Sequence, residues 1–240
     1  MRLISIAIAL NFFFATSGAA HDFITQEIAD VYIKKIQDAR DITKVSSSES
    51  ERGHAYVTIG KLLVELKSFF NRDIATHGEI NGLATKYLIA TLDDSGLDLK
   101  FSKRKNFYEF DSSFFEKAIT SELDSGVRTI ALGELIKGNF YQSFDGDFLE
   151  TRLPSGKLKE DAERFEKLMG IQINDSIDEE LLFIGFILNA RVAIHKGDQA
   201  LRVRARRKAL ELGVEFRGRF PDSLSIAAVD LVETRLNSSK

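Results

Sequence analysis

The sequence predicts a mainly α protein: an irregular helical domain of about eight helices with one or two minor β-hairpins. Apolar side chains recur at helical spacing along most of the chain, most regularly over residues 80–92. The run 181–188 is apolar on all sides, which predicts a central buried helix. The two prolines, Pro154 and Pro221, both lie at predicted element boundaries, which favours long uninterrupted helices.

Four helices are predicted in the N-terminal half, over residues 24–40, 51–70, 80–92 and 114–123. Asp22 and Thr25 are both candidates to cap the first helix, because short polar side chains accept hydrogen bonds from the free amides of a helix N-terminus. The serine-rich stretch 46–50 predicts a linker between the first two helices.

Two segments alternate apolar and polar residues as half-buried strands do. The first runs from Leu97 to Phe101 and would pair with a return strand over 107–110. The second hairpin would span 140–153 around Asp145-Gly146-Asp147, with either a two-residue or a three-residue loop. The three-residue loop is preferred because it sets Phe144 against Phe148 across the strands.

Four more helices are predicted in the C-terminal part. They cover 156–169, a segment that begins near Ser176 and contains the apolar run, 198–212 with Gly213 as its stop, and a segment after Pro221-Asp222. The core is expected to gather around residues 181–194. The last helix is expected to bury Leu224, Ala227, Ala228, Leu231 and Val232.

The first twenty residues have the pattern of a secretory signal peptide. Arg2 supplies a positive charge, residues 3–15 are almost wholly apolar, and small residues follow at 17–20. We expect cleavage after Ala20, which leaves residues 21–240 as a single mainly helical domain. An uncut N-terminal membrane anchor is the alternative, although the apolar run is shorter than the roughly 20 residues that a bilayer requires.

The sequence contains no cysteine. This excludes disulfides, cysteine-ligated metals, a cysteine nucleophile and a lipid anchor on an N-terminal cysteine. Secreted eukaryotic domains often depend on disulfides, so a cysteine-free exported chain indicates a bacterial periplasm, or secretion. No transmembrane span is expected after cleavage.

Positive charge is concentrated near the C-terminus. Residues 191–219 contain nine Lys/Arg and three Asp/Glu, a net charge of +6, whereas the mature chain has 32 Lys/Arg, after loss of Arg2, against 36 Asp/Glu. The basic helix, residues 200–212, is the candidate binding site for an anionic envelope component or an acidic protein. Its site residues are Arg202, Arg204, Arg206, Arg207 and Lys208.

Two interpretations of the basic helix remain as alternatives. Its arginines either bind an external anion or pair with acidic groups of the same protein. Nucleic acid is not expected as a partner, because the mature chain is exported and has a net charge of about −4, from the same 32 basic and 36 acidic residues.

Carboxylates near 145–150 suggest a second class of function. Asp145, Asp147 and Glu150 could supply the acid and base pair of a hydrolase of a cell-envelope polymer. Alternatively, Asp145 and Asp147 could hold Ca²⁺ with Glu150 or Asp124 nearby. The alternative is that aspartate and glycine occur here because turns favour them.

Other catalytic patterns do not occur in the sequence. The four histidines lack the His-Glu-x-x-His spacing, and there is no Gly-x-Ser-x-Gly motif or glycine-rich phosphate loop. A mature N-terminal His21 could chelate copper with His54 or His77, but a loose solvated terminus is the simpler interpretation. We therefore expect no cofactor and favour a non-enzymatic binding or assembly role.

Residues 196–198, Lys-Gly-Asp, followed by 208–212 resemble the second half of a tetratricopeptide repeat. Arg202 and Arg206 occupy the positions where that family has a small and an aromatic residue, and only one partial copy occurs. No repeat array is inferred, because such repeats need neighbours to bury their faces.

Overall fold

The computed structural model describes residues 24–97, 99–103, 106–120, 125–144, 147–150, 155–171, 177–195 and 198–238. Within these ranges the chain forms nine helices and two very short strands, which confirms the predicted mainly α fold. The elements are α1 (Gln26–Val45), α2 (Glu49–His77), α3 (Leu83–Asp94), β1 (Phe101–Ser102), β2 (Phe107–Tyr108), α4 (Ser113–Thr120), α5 (Ser125–Ser143), α6 (Ser155–Ile171), α7 (Glu179–Ile194), α8 (Gln199–Arg219) and α9 (Ile226–Ser238).

The described residues fall into two compact units. Helices α1 to α5, the two strands and the part of α6 from Arg164 onward belong to the first unit. The second unit contains residues 144–163 and helices α7 to α9. The predicted single domain over 21–240 stays a prediction.

In the first unit, α1 and α2 each begin at a side-chain cap, and they pack together through apolar residues. Thr25 caps α1 by accepting from the Ile28 amide at 3.3 Å, and Ser48 caps α2 by accepting from the Glu51 amide at 3.3 Å. Of the expected linker, Ser46–Ser48 separates the two helices and Glu49 begins α2. The buried core of these helices and α3 includes Ala29, Ile33, Ile36, Ala39, Ala55, Ile59, Leu63, Leu66, Phe70, Leu88 and Leu92.

The predicted hairpins are not confirmed. Among the described residues, strand pairing is limited to Phe101 opposite Tyr108 and Ser102 opposite Phe107. In the second proposed hairpin, residues 140–143 are the last turn of α5, a helix that was not predicted. The Phe144 and Phe148 rings do lie 5.5 Å apart, as the three-residue loop required, but without strand pairing among the described residues.

The second unit is built around α7. Asp178 caps this helix by accepting from the Leu181 amide at 2.7 Å, and every residue from Leu181 to Ala193 is buried. The predicted central buried helix is therefore confirmed. Aromatic rings pack together around this helix. The centroid of the Phe183 ring lies 5.4 Å from that of Phe148 and 5.9 Å from that of Phe216 in α8.

Two predictions about the C-terminal helices were wrong. Gly213 does not stop the basic helix, because α8 continues to Arg219 and buries Gly213 within it. The inward face of α9 is Ala228, Val229, Val232 and Leu236, whereas three residues of the expected set are exposed: Leu224, Ala227 and Leu231.

None of the helices in the described ranges combines the length and apolar character that crossing a bilayer requires. The predicted signal peptide, residues 1–20, lies outside the described residues, as do Asp22 and positions 121–123 of the predicted fourth helix.

Candidate functional site

The basic helix α8 is held by its apolar face. Asp198 caps its N-terminus by accepting from the Ala200 amide at 2.9 Å. On the inner side, buried residues recur at helical spacing and fix the rotation of the helix; they are Ala205, Ala209, Leu212 and Phe216. The side chains on the remaining arc differ sharply in what they contact.

Two of the predicted site residues, Arg202 and Arg206, form hydrogen bonds to neighbouring helices of the second unit. Arg202 Nε donates to the carbonyl oxygen of Ala193 at 3.1 Å, in the last turn of α7. A cation is favourable there because the final carbonyls of a helix carry partial negative charge. Arg206 donates to Asn237 Oδ1 of α9 at 3.5 Å and is half-buried. Both side chains therefore help to hold α8 against its neighbours.

Arg204, Arg207 and Lys208 face outward to different degrees. The Arg207 side chain is 78% exposed, and its Nε lies 3.7 Å from Oε1 of Glu211, one helical turn away. Lys208 is 31% exposed and lies 3.9 Å from the same carboxylate. Arg204 is exposed, and its side chain makes no hydrogen bond or ion pair with any described residue. Exposed pairs one turn apart are weak, so an external anion can compete for these cations.

Exposed valines flank the outward cations, a feature that sequence reasoning missed. Val203 is 61% exposed and Val214 is 66% exposed. With 100° of rotation per residue, Val203, Arg204, Arg207 and Val214 fall within about 100° of one another around the helix. The signal was present in the sequence, since these positions lie opposite the inner apolar set. We name Val203, Arg204, Arg207 and Val214 the outer face of α8.

Further along α8, the basic residues are paired internally. Arg217 donates to both oxygens of Glu233 on α9, at 2.9 and 2.7 Å, and to Asp230 at 3.3 Å. Arg219 pairs with Glu215 at 3.3 Å and donates to the carbonyl of Ile177 ahead of α7. The C-terminal end of the helix thus follows the internal-pairing alternative. On the outer face, Arg207 pairs with the exposed Glu211, whereas the Arg204 side chain makes no ion pair with any described residue.

The carboxylate site centres on Asp147. Arg235 of α9 donates to both of its oxygens, at 3.0 and 2.8 Å, and the Leu149 amide donates to Oδ1 at 2.8 Å. Partial burial alone would raise the pKa of Asp147, but these hydrogen bonds and the charges of Arg235 and Arg191 hold the pKa below its ordinary value. A carboxylate held ionised in this way is a poor proton donor at neutral pH.

Of the other residues of the proposed hydrolase and Ca²⁺ sites, Glu150 is exposed, whereas Asp145 and Asp124 lie outside the described residues. Behind Asp147, the buried Arg191 donates from Nε to the Phe148 carbonyl at 2.8 Å. Burial lowers the pKa of Arg191 to about 10 while Asp147 opposes that shift, so the guanidinium stays charged at neutral pH. Residues 147–149 are thereby held against α7 and α9.

The histidines form no cluster in the described ranges. His54 Nδ1 lies 2.9 Å from the carbonyl of Ser50, and His77 Nδ1 lies 2.8 Å from Asp73 Oδ1. Among the described residues, no three His, Asp or Glu side chains come together in a way that could hold a metal ion. His21, the proposed copper ligand, lies outside them.

Comparisons with models of protein families, with curated proteins and with solved structures found no match.

Proposed function

We propose that this chain is an exported, periplasmic or secreted protein with a non-enzymatic binding role, and that the outer face of α8 contacts an anionic envelope component. The observation that carries this proposal is the exposure of Arg204 and of Arg207, whose side chain is 78% exposed, in a chain with more acidic than basic residues. An anion that meets this face gains charge attraction without displacing a buried contact.

The structure also distinguishes arginines that contribute to packing from arginines that can be replaced without affecting it. Removing Arg202 would release its hydrogen bond to α7, so a loss of binding in that variant could reflect altered packing. Arg204 and Arg207 are on the exposed arc, and their replacement by serine should leave the fold intact.

The test uses the protein recovered from expression of the full sequence, with fluorescent inorganic polyphosphate as the soluble anion and anisotropy at low salt as the readout. The Arg204→Ser/Arg207→Ser variant should bind about 30-fold more weakly, from about 1 kcal/mol for each cation near an anionic surface. The matched control is Lys34→Ser/Lys35→Ser, which removes two exposed cations from α1 and should bind like the unaltered protein.

Equal affinity of the two double variants would contradict the role of α8. Binding to polyglutamate but not to polyphosphate would redirect the proposal to an acidic protein partner. Both outcomes are read against circular dichroism of each variant, which should be unchanged.

Export itself has an independent test. Mass spectrometry of the protein recovered from a bacterial periplasm should show an N-terminus at His21, because the small residues 17–20 suit signal peptidase. Recovery of an intact N-terminus from the cytosol would contradict the proposed compartment.

A further inference from the structure

The outer face of α8 combines charge with exposed apolar side chains. Val203 and Val214 are 61% and 66% exposed, whereas Ala205, Ala209 and Leu212 of the same helix are buried. The two valines are separated by eleven residues, or about 16 Å along the helix axis, and they flank Arg207 on nearly the same line. A soluble polyanion offers such valines nothing, because it has no apolar region to cover them.

We infer that the outer face of α8 binds the headgroup region of an anionic lipid membrane, with α8 parallel to the surface. This inference rests on the proposed function and names its partner class. A lipid surface presents phosphate and apolar acyl chain side by side, which suits arginines and valines on one helical arc. Arginine is well suited to this contact, since its guanidinium binds phosphate through paired N–H donors.

Charge on α8 supports the same orientation. The helix has seven basic and two acidic residues. One acid, Glu211, is exposed within the arc of the outer face, and its carboxylate lies 3.7 Å from Arg207 and 3.9 Å from Lys208, which compensate its charge. The second acid, Glu215, pairs with Arg219 at 3.3 Å. Little uncompensated negative charge therefore opposes approach to an anionic surface.

The test measures partition of the purified protein onto sonicated vesicles of phosphatidylglycerol and phosphatidylcholine at low salt. Val203→Ser/Val214→Ser should bind anionic vesicles about tenfold more weakly, because the apolar area that inserts is lost. The same variant should bind soluble polyphosphate as tightly as the unaltered protein. Val31→Ser/Val45→Ser, which removes two valines of α1 that are 50% and 81% exposed, is the matched control and should leave both affinities unchanged.

The possible results separate this inference from the proposed function. If the α8 valine variant keeps full affinity for vesicles while Arg204→Ser/Arg207→Ser loses affinity for polyphosphate, the lipid inference is wrong and the anion-binding proposal stands. If the arginine variant keeps full affinity for both probes, both proposals are wrong. Partition onto pure phosphatidylcholine as strong as onto anionic vesicles would also overturn the inference, because it would show that charge plays no part.

Discussion

Replacement of Gly213 by alanine should destabilise the second unit, although alanine is normally the better helix former. A Cβ at this position would overlap a carboxylate oxygen of Glu233 and lie 3.3 Å from the ring of the buried Phe186. Glu233 is not free to swing away without cost, because Arg217 holds both of its oxygens. Crowding of a packed core costs about 1–3 kcal/mol, and loss of the partly buried ion pair adds about 1 kcal/mol.

Against this cost stands the gain in helix propensity of about 1 kcal/mol for glycine to alanine. The expected net change is a loss of about 1–3 kcal/mol in the free energy of unfolding, measured by urea denaturation followed by circular dichroism. Gly218 of the same helix is the control: it is exposed, a Cβ there would meet nothing within 4 Å, and Gly218→Ala should stabilise the protein. Gly213→Ala as stable as Gly218→Ala would refute the packing argument.

Two further substitutions test contacts away from the outer face. Arg235→Ala should destabilise the protein by up to about 1 kcal/mol at neutral pH, since Arg235 is half-exposed and solvent screens its pair with Asp147. Because the pKa of Asp147 is lowered in the folded state, this stabilisation is present above the unfolded-state pKa and is lost as the pH falls through the folded-state pKa. The difference in urea unfolding between the two proteins should therefore shrink as the pH falls below the ordinary range of an aspartate, and a difference that does not change with pH would contradict the pairing. Gly138→Ala should destabilise the protein by up to about 2 kcal/mol, because overlap of its Cβ with the Phe110 ring costs about 1–3 kcal/mol and the gain in helix propensity offsets about 1 kcal/mol. Gly170→Ala, whose Cβ would meet nothing within 4 Å, should not destabilise it. Urea midpoints that fall equally in both variants would contradict the role of that ring.

Part of this fold could be predicted because some segments of the sequence allow a single structural interpretation. The run 181–188 is apolar at every position, so any helix there must be buried on all sides, and it is. The predicted cap Thr25 precedes its helix at the position that favours a short polar acceptor.

Other elements were missed for identifiable reasons. Helix α5 carries Val127, Ala131 and Leu135 at four-residue spacing, all buried, but the Asp-Gly pair that follows it suggested a hairpin instead. Its last turn, residues 140–143, was assigned to a strand because a short apolar stretch has no decisive period.

The last helix shows where periodicity alone fails. Apolar residues surround α9 on most sides from Ile226 to Val232, so two inward faces were possible. The pairing of Glu233 with Arg217 accompanies the rotation observed, which turns Val229 and Leu236 inward and leaves Leu231 exposed. Such long-range contacts cannot be predicted from the spacing of apolar residues along the sequence.

The candidate site was predicted as a segment but not residue by residue. All five basic residues lie on α8, yet Arg202 and Arg206 contact α7 and α9, a distinction that depends on tertiary packing. The part played by Gly213 has the same origin, because a glycine that ends a helix and a glycine that allows close packing look alike in sequence.

The most direct test of the central claim, that the outer face of α8 binds anions, is the salt dependence of polyphosphate affinity. Each cation that neutralises a phosphate steepens the loss of affinity with salt, so Arg204→Ser/Arg207→Ser should show a shallower slope than both the unaltered protein and Lys34→Ser/Lys35→Ser. Identical slopes for all three proteins would contradict the claim.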